Sequence, residues 1–167
     1  MILYHEIDGD ASRDILRDGL KRTNRGAKGD DPAIIKTDKY LDALRPSPLK
    51  TAGLSRSNNI YAFIGDDDTI IDIKSGTIVA LREYMSGRNS VLLQLTVHPK
   101  YCYVSDLEKY DRVKSVLASG DEVRARQYAR DYWNSIVDFA IFEPSTITRP
   151  EVMIVRDLPP DALSTVM

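Results

Sequence analysis

An α+β fold is predicted by three features of this chain. Short apolar runs of strand length, LYHEI, NNIYAFI, SVLLQLTV and EVMIV, are each bounded by turn residues or proline. Stretches with apolar residues at helical spacing are grouped between these runs and do not alternate with them one for one. The length of 167 residues suits one compact core, so residues 1–167 are read as a single domain.

The elements follow from the punctuation. Met1 to Ile7 is a strand ended by Asp8, Gly9 and Asp10, after which Ser12 can cap a helix carrying Ile15 and Leu16 on one face. Gly19 and Leu20 supply that helix's left-handed stop. RTNRGAKGDDP reads as an exposed loop, and IIKTDKYLDAL as a short helix that Pro46 and Pro48 terminate. NNIYAFIGD is a largely buried strand. Residues 72 to 86 carry Ile78, Leu81 and Met85 at helical spacing and predict a helix, with Gly76 and two β-branched residues against it. SVLLQLTV, the longest apolar run among the strands, is expected at the centre of the sheet, and PKYCYVSD supplies another short strand. Residues 107 to 137 predict one or two helices broken near SGD; the loop EPSTITRP, the strand EVMIV and the tail DLPPDAL complete the chain.

Charge and composition narrow the function. The formal net charge is -2, so the molecule lacks the overall positive field that holds nucleic acid without regard to sequence, and any such contact must be local. No window approaches the roughly 20 apolar residues a membrane helix needs, and the N-terminus lacks a leader pattern, which predicts a cytoplasmic protein with no membrane partner. Cys102, the one cysteine, sits between aromatic and β-branched residues and reads as a buried, inert thiol. Two histidines and one cysteine are too few for a protein zinc site of the usual kind, so metal-assisted hydrolysis is not expected.

The order of motifs resembles ADP-ribosyltransferase-fold proteins of the histidine-tyrosine-glutamate type, most of all the small bacterial toxin-type mono-ADP-ribosyltransferases. LYHEID followed by ILRDGL resembles the first motif, a strand-end histidine and a helix stopping at Gly-Leu. NNIYAFIGD resembles the second, a strand whose aromatic residue stacks on nicotinamide. TRPEVMIVRDLPPDAL resembles the third, a loop entering a strand headed by the catalytic glutamate, with Pro-Pro beyond it. The resemblance implies a split, mainly antiparallel sheet with flanking helices, NAD as substrate, and convergence of His5, Tyr61 and Glu151 on one cleft.

Glu151 would be the catalytic residue. Cleavage of the bond between ribose and nicotinamide passes through an oxocarbenium-like state, and a carboxylate beside the ribose stabilises the charge as it forms. Without the resemblance, a glutamate after proline at a strand start reads as a solvated edge residue. His5 would bind the adenosine-side ribose, and is otherwise a satisfied strand-end histidine. Tyr61 would face the nicotinamide; Phe63 shares its side of the strand, and one of the two is packing. Arg56, a few residues before that strand, is placed to hold the NAD pyrophosphate with its fork, or else to lie in solvent.

Two positions depart from the family pattern. Glu6 follows the motif histidine where many members carry a small residue, and Arg149 stands two residues before Glu151, where arginine-directed transferases carry glutamine or glutamate. Arginine is therefore not the favoured acceptor, which would be a protein or a nucleic acid. The cluster Arg13, Arg17, Lys21, Arg22, Arg25 and Lys28 is either a phosphate or nucleic-acid contact or a solvated face. Two alternatives stay open: a non-catalytic module on the same fold, as a degraded enzyme or a toxin component with an antitoxin partner, and an RNA 2'-phosphotransferase-like enzyme, for which the sequence offers no clear arginine-histidine constellation.

Overall fold

The computed structural model describes residues 1–24 and 31–166, so Arg25 and Lys28 of the basic cluster lie outside the described residues. The fold is α+β. Strand β1 (Ile2–Asp8) leads through a single 3₁₀ turn into helix α1 (Ser12–Asp18). Then come β2 (Thr23–Asn24), α2 (Pro32–Ala43), α3 (Ser47–Thr51), β3 (Asn58–Gly65), β4 (Thr69–Ile71), β5 (Ile78–Ala80) and α4 (Leu81–Met85). β6 (Ser90–Leu95), β7 (Cys102–Asp106), α5 (Leu107–Ser119), α6 (Glu122–Asn134), β8 (Val137–Asp138), β9 (Pro150–Ile154) and β10 (Leu163–Thr165) follow.

Among the described residues one antiparallel sheet runs β10-β6-β1-β3-β9-β7-β8, with β2, β4 and β5 attached around β3. β3 joins two halves. Its C-terminal end pairs with β1 over only three positions, Ile2↔Gly65 to Tyr4↔Phe63, and its N-terminal half pairs with β9 from Ile60↔Ile154 to Ala62↔Val152. SVLLQLTV becomes β6, which is flanked on both sides by β1 and β10 but is next to the end of the sheet; β3 holds the middle. β9 is shorter and buried at all five positions, which explains why length of apolar run was a poor guide to centrality.

Alternation along the strands builds the core on both faces. Leu3, Ile60, Ala62, Ile64, Leu93, Leu95, Val104, Val152 and Ile154 pack on one face against α1 and the irregular segments around Phe142, Ile147 and Leu158. On the other face, α2, α5 and α6 cover Met153, with Leu41, Leu54, Val113, Ala125, Ala129 and Trp133 as the filling. α4 covers the β1–β6 part of that same face through Leu81 and Tyr84 against Tyr4, Ile70 and Leu92. Trp133 donates its indole N–H to the Leu41 carbonyl at 2.8 Å, tying α6 to α2.

Helix boundaries follow the chemistry with three adjustments. The Asp8 carboxylate caps the 3₁₀ turn before α1 by accepting from the Asp10 N–H, α1 itself starts from Ala11 without a side-chain cap, and Ser12 opens the helix with its hydroxyl on the Gly9 carbonyl. Pro46 ends the α2 region as predicted, whereas Pro48 starts α3 from within its first turn, where its missing N–H costs nothing. The helix predicted over 72 to 86 is a hairpin followed by one helical turn. Asp72 accepts from the Lys74 N–H and the Ser75 hydroxyl, and Ile78 to Ala80 then extend as β5 against β4. Ile78, the first residue of the supposed helical stripe, is 70% exposed.

Gly19 ends α1 with φ 83° and ψ 169°, which is not the ordinary left-handed cap but a region glycine alone occupies readily. The turn brings Leu20 against Leu158, with N–H to carbonyl bonds of 2.9 Å and 2.8 Å exchanged between them. A Cβ on Gly19 would run into the Leu158 carbonyl oxygen. Gly19→Ala therefore lowers unfolding stability by at least about 2 kcal/mol, from backbone strain plus the clash. Urea unfolding of the two proteins measures it, and an unchanged midpoint would contradict the account.

Candidate functional site

The residues singled out from the motifs gather around the point where β3 passes from one half of the sheet to the other. Tyr61 and Phe63 lie on the same face of β3, and Glu151 on β9 shares that face with Met153, which pairs with Tyr61. Continuing the β3–β9 register sets Glu151 level with Phe63. On the other side, continuing the β1–β3 register would set Glu6 against Tyr61, but pairing stops at Tyr4↔Phe63. The Tyr61 carbonyl instead meets His5 Nδ1 at 2.6 Å. A carbonyl can only accept, so Nδ1 carries the hydrogen and the His5 ring stands in for a missing ladder donor.

Arg56 is 1% exposed and Glu151 5% exposed, so neither lies in open solvent. Asp42 at the end of α2 fixes the approach to β3, accepting from the Arg56 N–H at 2.7 Å, the Ser57 N–H at 3.1 Å and the Ser55 hydroxyl at 2.8 Å. This turns the Arg56 side chain inward, beneath α2, α5 and α6. Its Nη1 donates to Glu151 Oε2 at 2.6 Å and to the Tyr132 hydroxyl at 3.2 Å, and its Nε to Asp38 Oδ1 at 3.4 Å. The guanidinium carbon lies 4.6 Å from the centre of the Tyr61 ring and 4.4 Å from that of Tyr110. Tyr110 also donates to Asp38 at 2.9 Å, and Tyr61 donates its hydroxyl to the Arg56 carbonyl. Burial works against the guanidinium's charge, but the phenols and the two carboxylates around it outweigh that and hold its pKa well above the usual value. Burial likewise pushes the Tyr132 phenol up, keeping it a neutral hydroxyl.

The structure brings Tyr61, Arg56 and Glu151 into one cluster. His5 stands apart from it: alternation puts its side chain in the row of Leu3 and Ile7, and it reaches β3 only through a backbone carbonyl. The β1 side chain in the row of Tyr4 is Glu6, and it lines a groove of about 540 Å3 together with Phe63, Asp8, Arg88 and Ser90. Phe63 therefore offers the accessible aromatic wall, while the Tyr61 ring is occupied with Arg56. Burial raises the Glu6 pKa, but hydrogen bonds from Ser90 at 2.6 Å and Tyr84 at 3.0 Å and the Arg88 guanidinium at 3.0 Å outweigh it and hold the carboxyl below its ordinary value. Asp38, Tyr110 and Tyr132 escaped the sequence reading. Their signal was there in part, since Asp38 lies three residues before Leu41 on the apolar side of α2. Cys102 is buried, and its thiol is pushed up to about 12 by desolvation, as an inert thiol should be.

Comparison of the chain with protein-family models, with curated proteins and with solved structures finds no match. No described helix is long and apolar enough to cross a membrane.

Two outcomes follow from this geometry. Arg56→Met takes the ion pair from a buried carboxylate and destabilises the protein by about 3–5 kcal/mol, while Arg56→Lys keeps the charge without the fork and recovers only part of the loss; denaturant unfolding of both variants checks this. Desolvation lowers the His5 pKa below its ordinary 6.5, a shift larger than the opposing effects of the Tyr61 carbonyl and of Glu6. The unfolded chain then binds the proton first, so stability falls as pH drops from about 6.5 toward the folded-state pKa, by at most about 1.4 kcal/mol per pH unit. His5→Asn should flatten the stability curve between pH 6.5 and 5, and an unaltered slope there would show that another group is responsible.

Proposed function

We propose that this chain is an NAD-dependent mono-ADP-ribosyltransferase with an ADP-ribosyltransferase-like fold, cleaving the nicotinamide–ribose bond and passing ADP-ribose to a protein or nucleic-acid acceptor. The observation that carries the proposal is the break in pairing between β1 and β3. At that break His5 replaces a ladder partner of Tyr61, a groove walled by Phe63 opens beside it, and Glu151 stands one strand away. Glu151 stabilises positive charge developing on the ribose, and its ion pair with Arg56 fixes the direction of the carboxylate before substrate arrives. The aromatic residues of β3 supply the apolar surface against which a nicotinamide ring is held.

A second reading, a non-catalytic binding module on the same fold, is favoured by the closure of Glu151 under α2, α5 and α6 and by the placement of His5 in the opposite row of side chains. Here the Arg56–Glu151 pair is a strut. A single set of measurements separates the two. The transferase shows a thermal shift with NAD and releases nicotinamide, and Glu151→Gln keeps most of the NAD affinity while losing about a hundredfold or more in rate. Normal turnover in a folded Glu151→Gln protein removes the carboxylate mechanism. Absence of any NAD effect on the unmutated protein leaves the module.

A further inference from the structure

A second cluster lies at the other end of β9, away from Glu151. The segment after β6, Thr96 to Tyr101, and the segment after β9, Arg156 to Ala162, border an open cavity of about 270 Å3 lined by His98, Tyr101, Arg156, Leu158 and Asp161 among others. Val155 donates its N–H to the Tyr101 carbonyl at 3.0 Å and Thr96 donates to the Ala162 carbonyl at 2.8 Å, so both walls are held by backbone. Tyr101 is the centre of the cluster. The Arg156 guanidinium carbon is 4.5 Å from its ring centre, Lys100 Nζ is 4.9 Å away, and the His98 ring meets it edge-on at 6.3 Å.

Two exposed cations share the Tyr101 ring and its hydroxyl, which they hold below its ordinary pKa, and an anion between them would relieve their mutual repulsion. Among the described residues neither Lys100 nor Arg156 forms an ion pair. Asp157, next to Arg156 in the chain, is committed to Arg22, accepting its N–H at 2.8 Å and its Nε at 3.4 Å. Asp161 is the one carboxylate on the cavity wall. His98 adds a donor, because its Nδ1 accepts the Lys100 N–H at 3.2 Å and the neutral ring then carries its hydrogen on Nε2.

The geometry points to a site for a phosphate monoester of mononucleotide size, with Arg156, Lys100 and His98 holding the phosphate and Tyr101 flanking the organic part. Arginine's fork takes two phosphate oxygens at once and lysine supplies a point charge, while the Tyr101 ring gathers both cations at the cavity and leaves its edge for the organic part. The cavity volume suits a small ligand rather than a polymer. The site shares no residue with the Glu151 cluster and stands whether or not the chain acts on NAD.

The test is a two-dimensional amide NMR titration of the full chain with three probes: inorganic phosphate, adenosine 5'-monophosphate and adenosine. The monophosphate gives saturable shifts in 96–101 and 156–162, inorganic phosphate gives weaker shifts in the same residues, and adenosine gives none. Arg156→Gln and Lys100→Gln each weaken monophosphate binding by about tenfold or more, as loss of a charge-assisted contact does, while Asp161→Asn tightens it. All three changes are at exposed positions, so a spectrum otherwise unchanged confirms that the variant is folded. Adenosine binding as tightly as its monophosphate, shifts that do not saturate, or affinity indifferent to both cation changes would each overturn the assignment.

Discussion

A guanidinium cannot be taken out of water unless acceptors replace the water, and this requirement at Arg56 organises half the molecule. Its acceptors and ring contacts come from α2, β3, α5, α6 and β9, so five elements distant in sequence must meet at one point. Apolar burial alone would let α5 and α6 slide on the sheet, because hydrophobic contact has no direction. Tyr110 and Tyr132 remove that freedom, since each joins an apolar ring in the core to a hydroxyl with directed contacts, Asp38 and the Ile34 carbonyl for Tyr110, Arg56 and the Met153 sulfur for Tyr132. The cluster thus costs desolvation and returns register.

The other constraint is the hand-over in β3. A strand that pairs with β1 at one end and β9 at the other lets the two halves of the sheet diverge, but every carbonyl exposed by the divergence needs a donor. His5 provides one for Tyr61, and it does so as a neutral ring whose second nitrogen is still in play. On the opposite row, Glu6 is occupied by Ser90, Tyr84 and Arg88, which fastens β1 to α4 and the start of β6 just where β1 leaves β3. The split is held open by polar contacts on both faces.

Strand positions were legible wherever alternation and punctuation agreed, as in β1, β3 and β9, and so was the break between α5 and α6, where Gly120 takes the left-handed conformation and Asp121 caps the next helix. Residues 72 to 86 misled because Ile78, Leu81 and Met85 fit a helical period while Asp72 and Gly76 had already closed a turn; hydrogen bonding by one side chain overrode spacing. β10 was invisible since three residues pairing at a sheet end carry no pattern of their own. The site was legible as positions and not as contacts. Arg56 looked like a surface arginine because nothing local marks it for burial: its acceptors lie 18, 76 and 95 residues further away along the chain.

The burial of Arg56 also limits what Glu151 can do. Separating the two would leave an unpaired charge in the interior at a cost of about 3–5 kcal/mol, which is two to three powers of ten or more in affinity for any ligand that demanded it. A catalyst built on this chain therefore works with the pair intact. Arg56 keeps one oxygen of the carboxylate, and in the transferase reading the other is the one left to meet the ribose. The guanidinium is then support for the reacting group, locked in place by Asp38 and three phenols, and it is not free to travel to a pyrophosphate. In the transferase reading the phosphates of NAD must be held by groups nearer the surface; the Arg88 side chain beside the Phe63 groove is such a cation, and it would have to divide its fork between a phosphate and Glu6, with which it is paired at 3.0 Å.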